Sequence, residues 1–266
     1  MADSPIAPSA DTITRLANAL LPHVVPLFAV PKGKRPTLVG TALLVADEEA
    51  LFAISARHVL DQGLPPGRLY FYDKTQSLRQ LSGTMLRTAP LPGGSSLDLF
   101  DVAVMRLPPG TPPVFLETLK YAMPIQNLLP FRSRRDEHEY LVTGFPRSRS
   151  QSNPVNHQLR SQPQAFRVVS ASADAYTSLG LSPAQHLVMN LNIDAMRFPD
   201  GSTRRIPDPH GMSGSPIWLL YDKSGNDNNS AYTPVVGIAT EYHKSLKLLV
   251  ATDIGVAIDL IQLSAA

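Results

Sequence analysis

Hydrophobic positions along the chain change their period once. Asp11-Thr12 opens a stretch in which Ile13, Leu16, Ala17, Leu20 and Leu21 recur at i, i+3, i+4, i+7 and i+8, and Pro22 ends it. This is one apolar stripe, and it predicts a short helix packed onto the body. A helix lying on a membrane would need Lys and Arg along its polar face, and only Arg15 is there. From Pro36 onward the runs are short and bounded by Gly, Pro, Asp or Ser: Thr37–Val45, Ala50–Ser55, Arg68–Tyr72 and Val102–Leu107. A second series follows at Tyr140–Phe145, Ala165–Ser170, His186–Ile193, Ile217–Tyr221, Pro234–Ala239 and Leu246–Asp253. Many short strands with turns between them predict an all-β sandwich or barrel. Ile254, Ala257, Ile258 and Ile261 then predict a closing helix. There is no internal repeat, heptad or GxGxxG phosphate loop.

Composition sharpens this picture. Proline makes up 25 of 266 residues, about twice its usual share of roughly 5%. Each proline removes a backbone donor and clashes with the preceding helical turn, so long helices are excluded. The chain is long enough for one large domain or two small ones sharing a core, with 43% apolar residues. Lys+Arg 24 against Asp+Glu 22 gives a net charge of +2, too small for the strong positive field of a nucleic-acid or membrane-surface protein. Cysteine is absent, which removes disulfides, thiolate metal sites and cysteine nucleophiles together. No segment reaches the 18 or so apolar residues of a membrane span and the start has no basic, then apolar, export pattern, so the expected address is the cytosol.

Weaker signals are read as surface. Arg132–Pro163 is rich in Arg, Ser, Gln and Asn and is expected to form a solvated loop pair; an RNA-binding patch is the weaker alternative. Asp136-Glu137-His138-Glu139 lacks a second histidine at ligand spacing, so a charged loop is expected rather than a metal site. His23, His157, His186 and His243 show no partnering pattern.

Three segments carry possible chemistry. His210-Gly211-Met212-Ser213-Gly214-Ser215-Pro216 enters the strand at Ile217. A serine hydroxyl is a weak nucleophile that needs an adjacent base and backbone donors for the oxyanion. Glycines on both sides let the chain turn sharply around Ser213, although Gly, Ser and Pro also make an ordinary turn. Phe52-Ala53-Ile54-Ser55-Ala56-Arg57-His58-Val59-Leu60 puts His58 directly after a buried strand, with small residues leaving room for its ring. Asp98-Leu99-Phe100-Asp101-Val102-Ala103-Val104 leads an acid into another buried strand, where it needs a hydrogen-bond donor such as an imidazole N–H. Capping a turn is the competing task for an acid there, and Asp98 is suited to it.

Together, Gly40-Thr41-Ala42-Leu43-Leu44-Val45, Ala56-Arg57-His58-Val59, Asp101-Val102-Ala103-Val104 and Gly211-Met212-Ser213-Gly214-Ser215-Pro216 resemble the chymotrypsin-like serine peptidases, in which the order is also His, Asp, Ser. Tyr140-Leu141-Val142-Thr143-Gly144-Phe145-Pro146 and Val235-Val236-Gly237-Ile238 resemble two strands of that family's second barrel. The resemblance covers about Val24 to Ala257. It implies two six-stranded antiparallel β-barrels with short terminal helices: an N-terminal helical extension at 1–23, a first barrel at 24–120 with His58 and Asp101, and a second at 121–266 with Ser213. It also implies a Ser213 nucleophile, a His58 base, an orienting Asp101, and an oxyanion hole from the amides of Gly211 and Ser213, with no metal or cofactor.

The departures are specific. Met212 stands where digestive members carry an acid that pairs with a freed N-terminus, so that zymogen switch is not expected. The absence of cysteines and of an export signal resembles bacterial relatives of the HtrA and glutamyl endopeptidase kind, here without a PDZ module after the last helix. Ser213-Gly214-Ser215-Pro216 is similar to the glutamyl endopeptidases, but Ala239 replaces the histidine that follows Gly-Ile in that group. The substrate pocket is expected between Ile206–His210 and Ala239–Tyr242. Asp208 or Glu241 there would favour Arg or Lys, His210 would favour an acid, and Thr240 lines the wall. The expected function is a regulated serine endopeptidase of narrow range acting on a protein or peptide, controlled by a partner protein or by a pocket that must first be ordered, with no nucleic acid or membrane involved. A catalytically silent binding module and an esterase using the same residues are the alternatives.

Overall fold

The order of apolar and polar positions along β3 shows how the molecule is layered. In the computed structural model, Phe52 and Ile54 point into one core while Ala53 and Ala56 point into another, so both faces of the strand are covered. The same alternation holds in β2, where Leu43 and Val45 oppose Ala42 and Leu44, and in β7, where Val102 and Val104 oppose Ala103 and Met105. These strands are Thr37–Asp47 (β2), Ala50–Ala56 (β3) and Val102–Arg106 (β7). Burial on two faces is why the sequence reads as near-continuous apolar runs. The structure describes residues 9–30, 36–48, 50–62, 69–72, 78–90, 98–108, 121–130, 138–153, 158–206, 208–221 and 233–265.

The first sheet adds β1 (Val24–Ala29), β4 (Leu69–Tyr72), β5 (Leu78–Gln80) and β6 (Thr84–Arg87), in the order β5-β4-β1-β2-β3-β7-β6. Neighbours in it are antiparallel, while β8 (Met123–Pro124) joins β2 in parallel. The sheet curls into a half-barrel around Leu27, Leu44, Ala53, Phe71 and Met105. The second sheet comprises β9 (Glu139–Gly144), β12 (Gln164–Ser170), β13 (His186–Asn190), β16 (Pro216–Tyr221), β17 (Val235–His243) and β18 (Leu248–Asp253). It closes on itself because β13 pairs with both β18 and β12, giving a six-stranded barrel. Two short strands, β14 (Met196–Arg197) and β15 (Thr203–Arg204), extend it beyond β12. This is the all-β double-barrel architecture of the chymotrypsin-like fold.

A third core lies between the sheets and holds them together. Leu43, Phe52, Ile54, Leu141, Trp218 and Ile238 meet there. Trp218 is wholly buried, with its indole N–H donating to the Thr143 hydroxyl at 2.8 Å. Helix α1 (Ala10–Leu20) seals the region with Ile13, Ala17 and Leu20. The Ser9 hydroxyl caps it by accepting from the Thr12 N–H at 3.2 Å. The closing helix (Ile254–Ala265) follows the second barrel but packs on β6 and β7 of the first sheet. There the Arg106 guanidinium donates to the Ser264 carbonyl at 2.8 Å.

Two departures from the sequence reading have physical causes. Strand β1 contains Pro26, which hid it. Pro26 sits opposite Thr41, whose N–H and C=O bond elsewhere, so that position of the ladder does not need the missing proline donor. Within the stretch expected as solvated loops, β10 (Ser150–Asn153) and β11 (Gln158–Ser161) form a separate two-stranded hairpin. It is a ladder partner of neither main sheet. Among the described residues no helix is long and apolar enough to cross a membrane.

Ile13 is fully buried at the seam, so Ile13→Ala is expected to lower unfolding free energy by about 2–4 kcal/mol, measured by urea titration.

Candidate active site

Strand β3 ends at Ala56, and helix α2 (Arg57–Asp61) starts there without a capping side chain of its own. Its first donors are satisfied from across the sheet by one residue. The Arg57 N–H donates to the Asp101 carbonyl at 2.7 Å, and the His58 N–H donates to Asp101 Oδ1 at 3.0 Å. Asp101 Oδ2 lies 2.5 Å from His58 Nδ1. An ionised carboxylate only accepts, so Nδ1 carries the proton and Nε2 of the neutral ring is left as an acceptor.

Asp101 holds a left-handed backbone conformation, φ +47°, which costs of order 1–3 kcal/mol unless its surroundings enforce it. They do so from both sides. Within the first half, Asp98 accepts from the Phe100 N–H at 3.1 Å, the Thr88 hydroxyl at 2.5 Å and the Arg57 guanidinium at 3.0 Å. Burial pushes the Asp98 carboxyl up, but the hydrogen bonds from Thr88, the Asp101 and Phe100 amides and Arg57 outweigh it and hold it below the ordinary carboxylate value. Asp98 is therefore the turn cap and Asp101 the partner of the imidazole. From the second barrel, the Thr252 hydroxyl donates to the Phe100 carbonyl at 2.5 Å. His186 places Nε2 3.0 Å from the Leu99 carbonyl and stacks on Phe100, centroids 5.8 Å apart and planes 6° apart.

The Ser213 loop is pinned one peptide plane at a time. The His210 carbonyl accepts from the Arg147 N–H at 2.6 Å, turning the attached Gly211 N–H the opposite way. The Gly211 carbonyl accepts from the Thr41 hydroxyl at 3.0 Å. The Met212 carbonyl accepts from the Ser215 N–H at 2.9 Å, and the Ser213 carbonyl from the Thr41 N–H at 2.9 Å. Among the described residues neither the Gly211 N–H nor the Ser213 N–H has an acceptor. Gly211 at φ +93° and Gly214 at φ +87° supply conformations that other residues resist. A Cβ on Gly214 would also lie 2.0 Å from the Thr41 carbonyl and 2.1 Å from the Ser55 hydroxyl.

His58, Asp101 and Ser213 line one cavity of about 730 Å³, together with Asp208, His210, Thr240 and Glu241. The Ser213 hydroxyl donates to the Thr240 carbonyl at 3.4 Å, a long bond that holds it only loosely. Asp208 accepts from the His210 N–H at 3.2 Å, and its carboxylate lies 3.6 Å from His210 Nε2. Glu241 lies 3.3 Å from His243 Nε2. Both acids stay largely exposed, at 45% and 67% of their side chains, and each has a histidine partner. Burial, then the carboxylates of Asp208 and Asp194, hold the Tyr242 phenol above its ordinary value. Glu139, which ends the acidic run and opens β9, is taken by Arg167 through hydrogen bonds of 2.5 and 2.6 Å. Asp136 and Glu137 lie outside the described residues, among which no group of three or more His, Asp or Glu could hold a metal ion.

No protein-family model matches the chain, and no curated protein matches it in sequence. Solved structures do match. Human heparin binding protein superposes with a TM-score of 0.56 at 16% identity over 92% of this chain and 91% of its own. An atomic-resolution structure of HBP gives 0.54 at 14% identity over the same shares. At such identities the likeness carries the fold, a chymotrypsin-like double barrel.

Sequence reasoning missed Thr41, Ser55, His186 and Thr252, which act by holding loops. Thr41 and Ser55 lay inside quoted motifs as spacers, and no local signal marks His186 or Thr252, whose partners lie 87 and 152 residues away.

Two outcomes follow from this geometry. Because the folded Asp98 value lies below the unfolded one, its contribution is complete above the ordinary carboxylate range and disappears as pH falls through the depressed value. Asp98→Asn is therefore expected to lose less stability than wild type between about pH 5 and pH 2, read from denaturant midpoints. The Ser215 hydroxyl is fully buried with no partner among the described residues, so Ser215→Ala is expected to raise stability by about 1 kcal/mol in the same assay.

Proposed function

We propose that the protein is a serine endopeptidase, acting on a protein or peptide substrate with His58, Asp101 and Ser213 as its catalytic residues. The observation that carries this reading is the two-point hold of Asp101 on His58, at the backbone N–H and at Nδ1, beside a cavity that Ser213 also lines. In the reaction the Ser213 hydroxyl gives up its long bond to Thr240 and turns to the Nε2 lone pair of His58, which lines the same cavity. The imidazole then takes the hydroxyl proton as Oγ attacks the carbonyl, and Asp101 stabilises the imidazolium. The proton passes on to the leaving amine, and water repeats the sequence on the acyl-enzyme. The Gly211 and Ser213 amides, which have no acceptor among the described residues, receive the oxyanion, and each such donor contributes on the order of 10²–10³ in rate. Asp208 and Glu241, already paired with histidines and exposed, do not commit the pocket to a basic residue.

A binding module on the same scaffold is the second reading. It is supported by a structural neighbour named heparin binding protein and by the Ser213 hydroxyl resting on Thr240 rather than on His58.

A fluorophosphonate probe separates the two. Labelling of wild type, abolished in Ser213→Ala and reduced roughly 10⁴-fold in Asp101→Asn, is expected for the peptidase. An unlabelled wild-type protein that is folded by circular dichroism would favour the binding module.

A further inference from the structure

Thr41 lies in β2, in the first half of the molecule, yet its N–H and its side-chain hydroxyl both serve the edge of the second barrel. Its N–H donates to the Ser213 carbonyl at 2.9 Å, and its carbonyl accepts from the Ser55 hydroxyl at 2.6 Å. The side-chain hydroxyl donates to the Gly211 carbonyl at 3.0 Å and accepts from the Phe145 N–H at 3.0 Å. The residue is fully buried, so no water replaces these partners.

The hydroxyl sits where two supports of the loop converge. Gly211 has no Cβ to restrict rotation about its backbone, and the Thr41 hydroxyl fixes the carbonyl on its C-terminal side. Phe145 begins the short segment that ends in Arg147, and the Arg147 N–H fixes the carbonyl on the N-terminal side of Gly211. One hydroxyl thus steadies both peptide planes that flank the Gly211 N–H. A methyl in its place would fit the volume but leave a buried C=O and a buried N–H unpaired. The Met212 N–H would still bond the Pro209 carbonyl at 2.9 Å, so the loop would loosen without unfolding.

We propose that the Thr41 hydroxyl is a positioning group that keeps the Gly211 and Ser213 amides aimed at one point for the oxyanion. The proposal rests on the peptidase reading, and it acts through Gly211 rather than by touching substrate.

The test compares wild type, Thr41→Val and Thr41→Ser in the full chain. With an activated ester, Thr41→Val is expected to lower kcat by about 10- to 100-fold with KM within about twofold, the signature of misplaced transition-state donors. Thr41→Ser, which keeps the hydroxyl, is expected to stay within about threefold of wild type. Hydrogen exchange of peptides covering 145–147 and 209–215 is expected to speed up in Thr41→Val and to match wild type in Thr41→Ser. Thr41→Val reacting and exchanging like wild type overturns the proposal. So does Thr41→Ser impaired as badly as Thr41→Val, because packing of the methyl would then be what counts. Should Thr41→Val not fold, a tenfold loss in Thr41→Ser alone still overturns it. A wild type that reacts with neither ester nor fluorophosphonate defeats the peptidase reading alone, and the exchange comparison then decides whether Thr41 holds the loop.

Discussion

Hydrogen bonding across the seam is the constraint on which the site depends, because each of its two loops is held in part by the other half. The Asp98–Asp101 turn belongs to the first half, contains a left-handed aspartate, and is gripped by Thr252 and His186 of the second barrel. The Gly211–Gly214 turn belongs to the second barrel, contains two glycines at positive φ, and is gripped by Thr41 of the first half. Each half therefore finishes the other's loop. Separating the halves would release both turns at once.

The packing explains why the halves stay together without a disulfide. Between the sheets lies a core that includes Trp218, Phe52 and Ile54, and both terminal helices close over it. The closing helix crosses back to the first sheet after the second barrel is complete, so the chain straps its own seam. Dispersion and apolar burial at this third core supply the rigidity that lets bonds of 2.5–3.0 Å form across it. Buried polar side chains are mostly matched, with Ser215 the exception among the described residues. Ser55 has the Thr41 carbonyl and Thr143 has the Trp218 indole.

The histidine and aspartate come together for a reason rooted in local structure. A five-residue helix begins with unsatisfied donors, and the sequence offers no Ser, Thr, Asp or Asn at its cap. Asp101 fills that need from 43 residues away, and in capping the helix it also reaches the imidazole on the helix's second residue. Structural necessity and site geometry are the same contact. The serine loop is a different case, since its two acceptor-free amides run against the usual pairing of backbone donors. Such groups persist only where the surrounding planes are fixed by stronger bonds.

Sequence alone carried the all-β class, most of the long strands, both terminal helices and several residues that line the cavity, His58, Asp101 and Ser213 among them. Apolar periodicity is a local property, and glycines flanking a serine, or an acid entering a strand, are short-range patterns. It did not carry β1, masked by Pro26, or the hairpin of β10 and β11, whose polar residues resemble loop. It also could not assign Thr41, Ser55, His186 and Thr252, because a buried hydroxyl or imidazole acquires its role from whichever carbonyl the fold brings to it. Those pairings join residues as far as 152 and 170 positions apart. The closure of two curved sheets around a shared core decides them, and no local pattern encodes that closure.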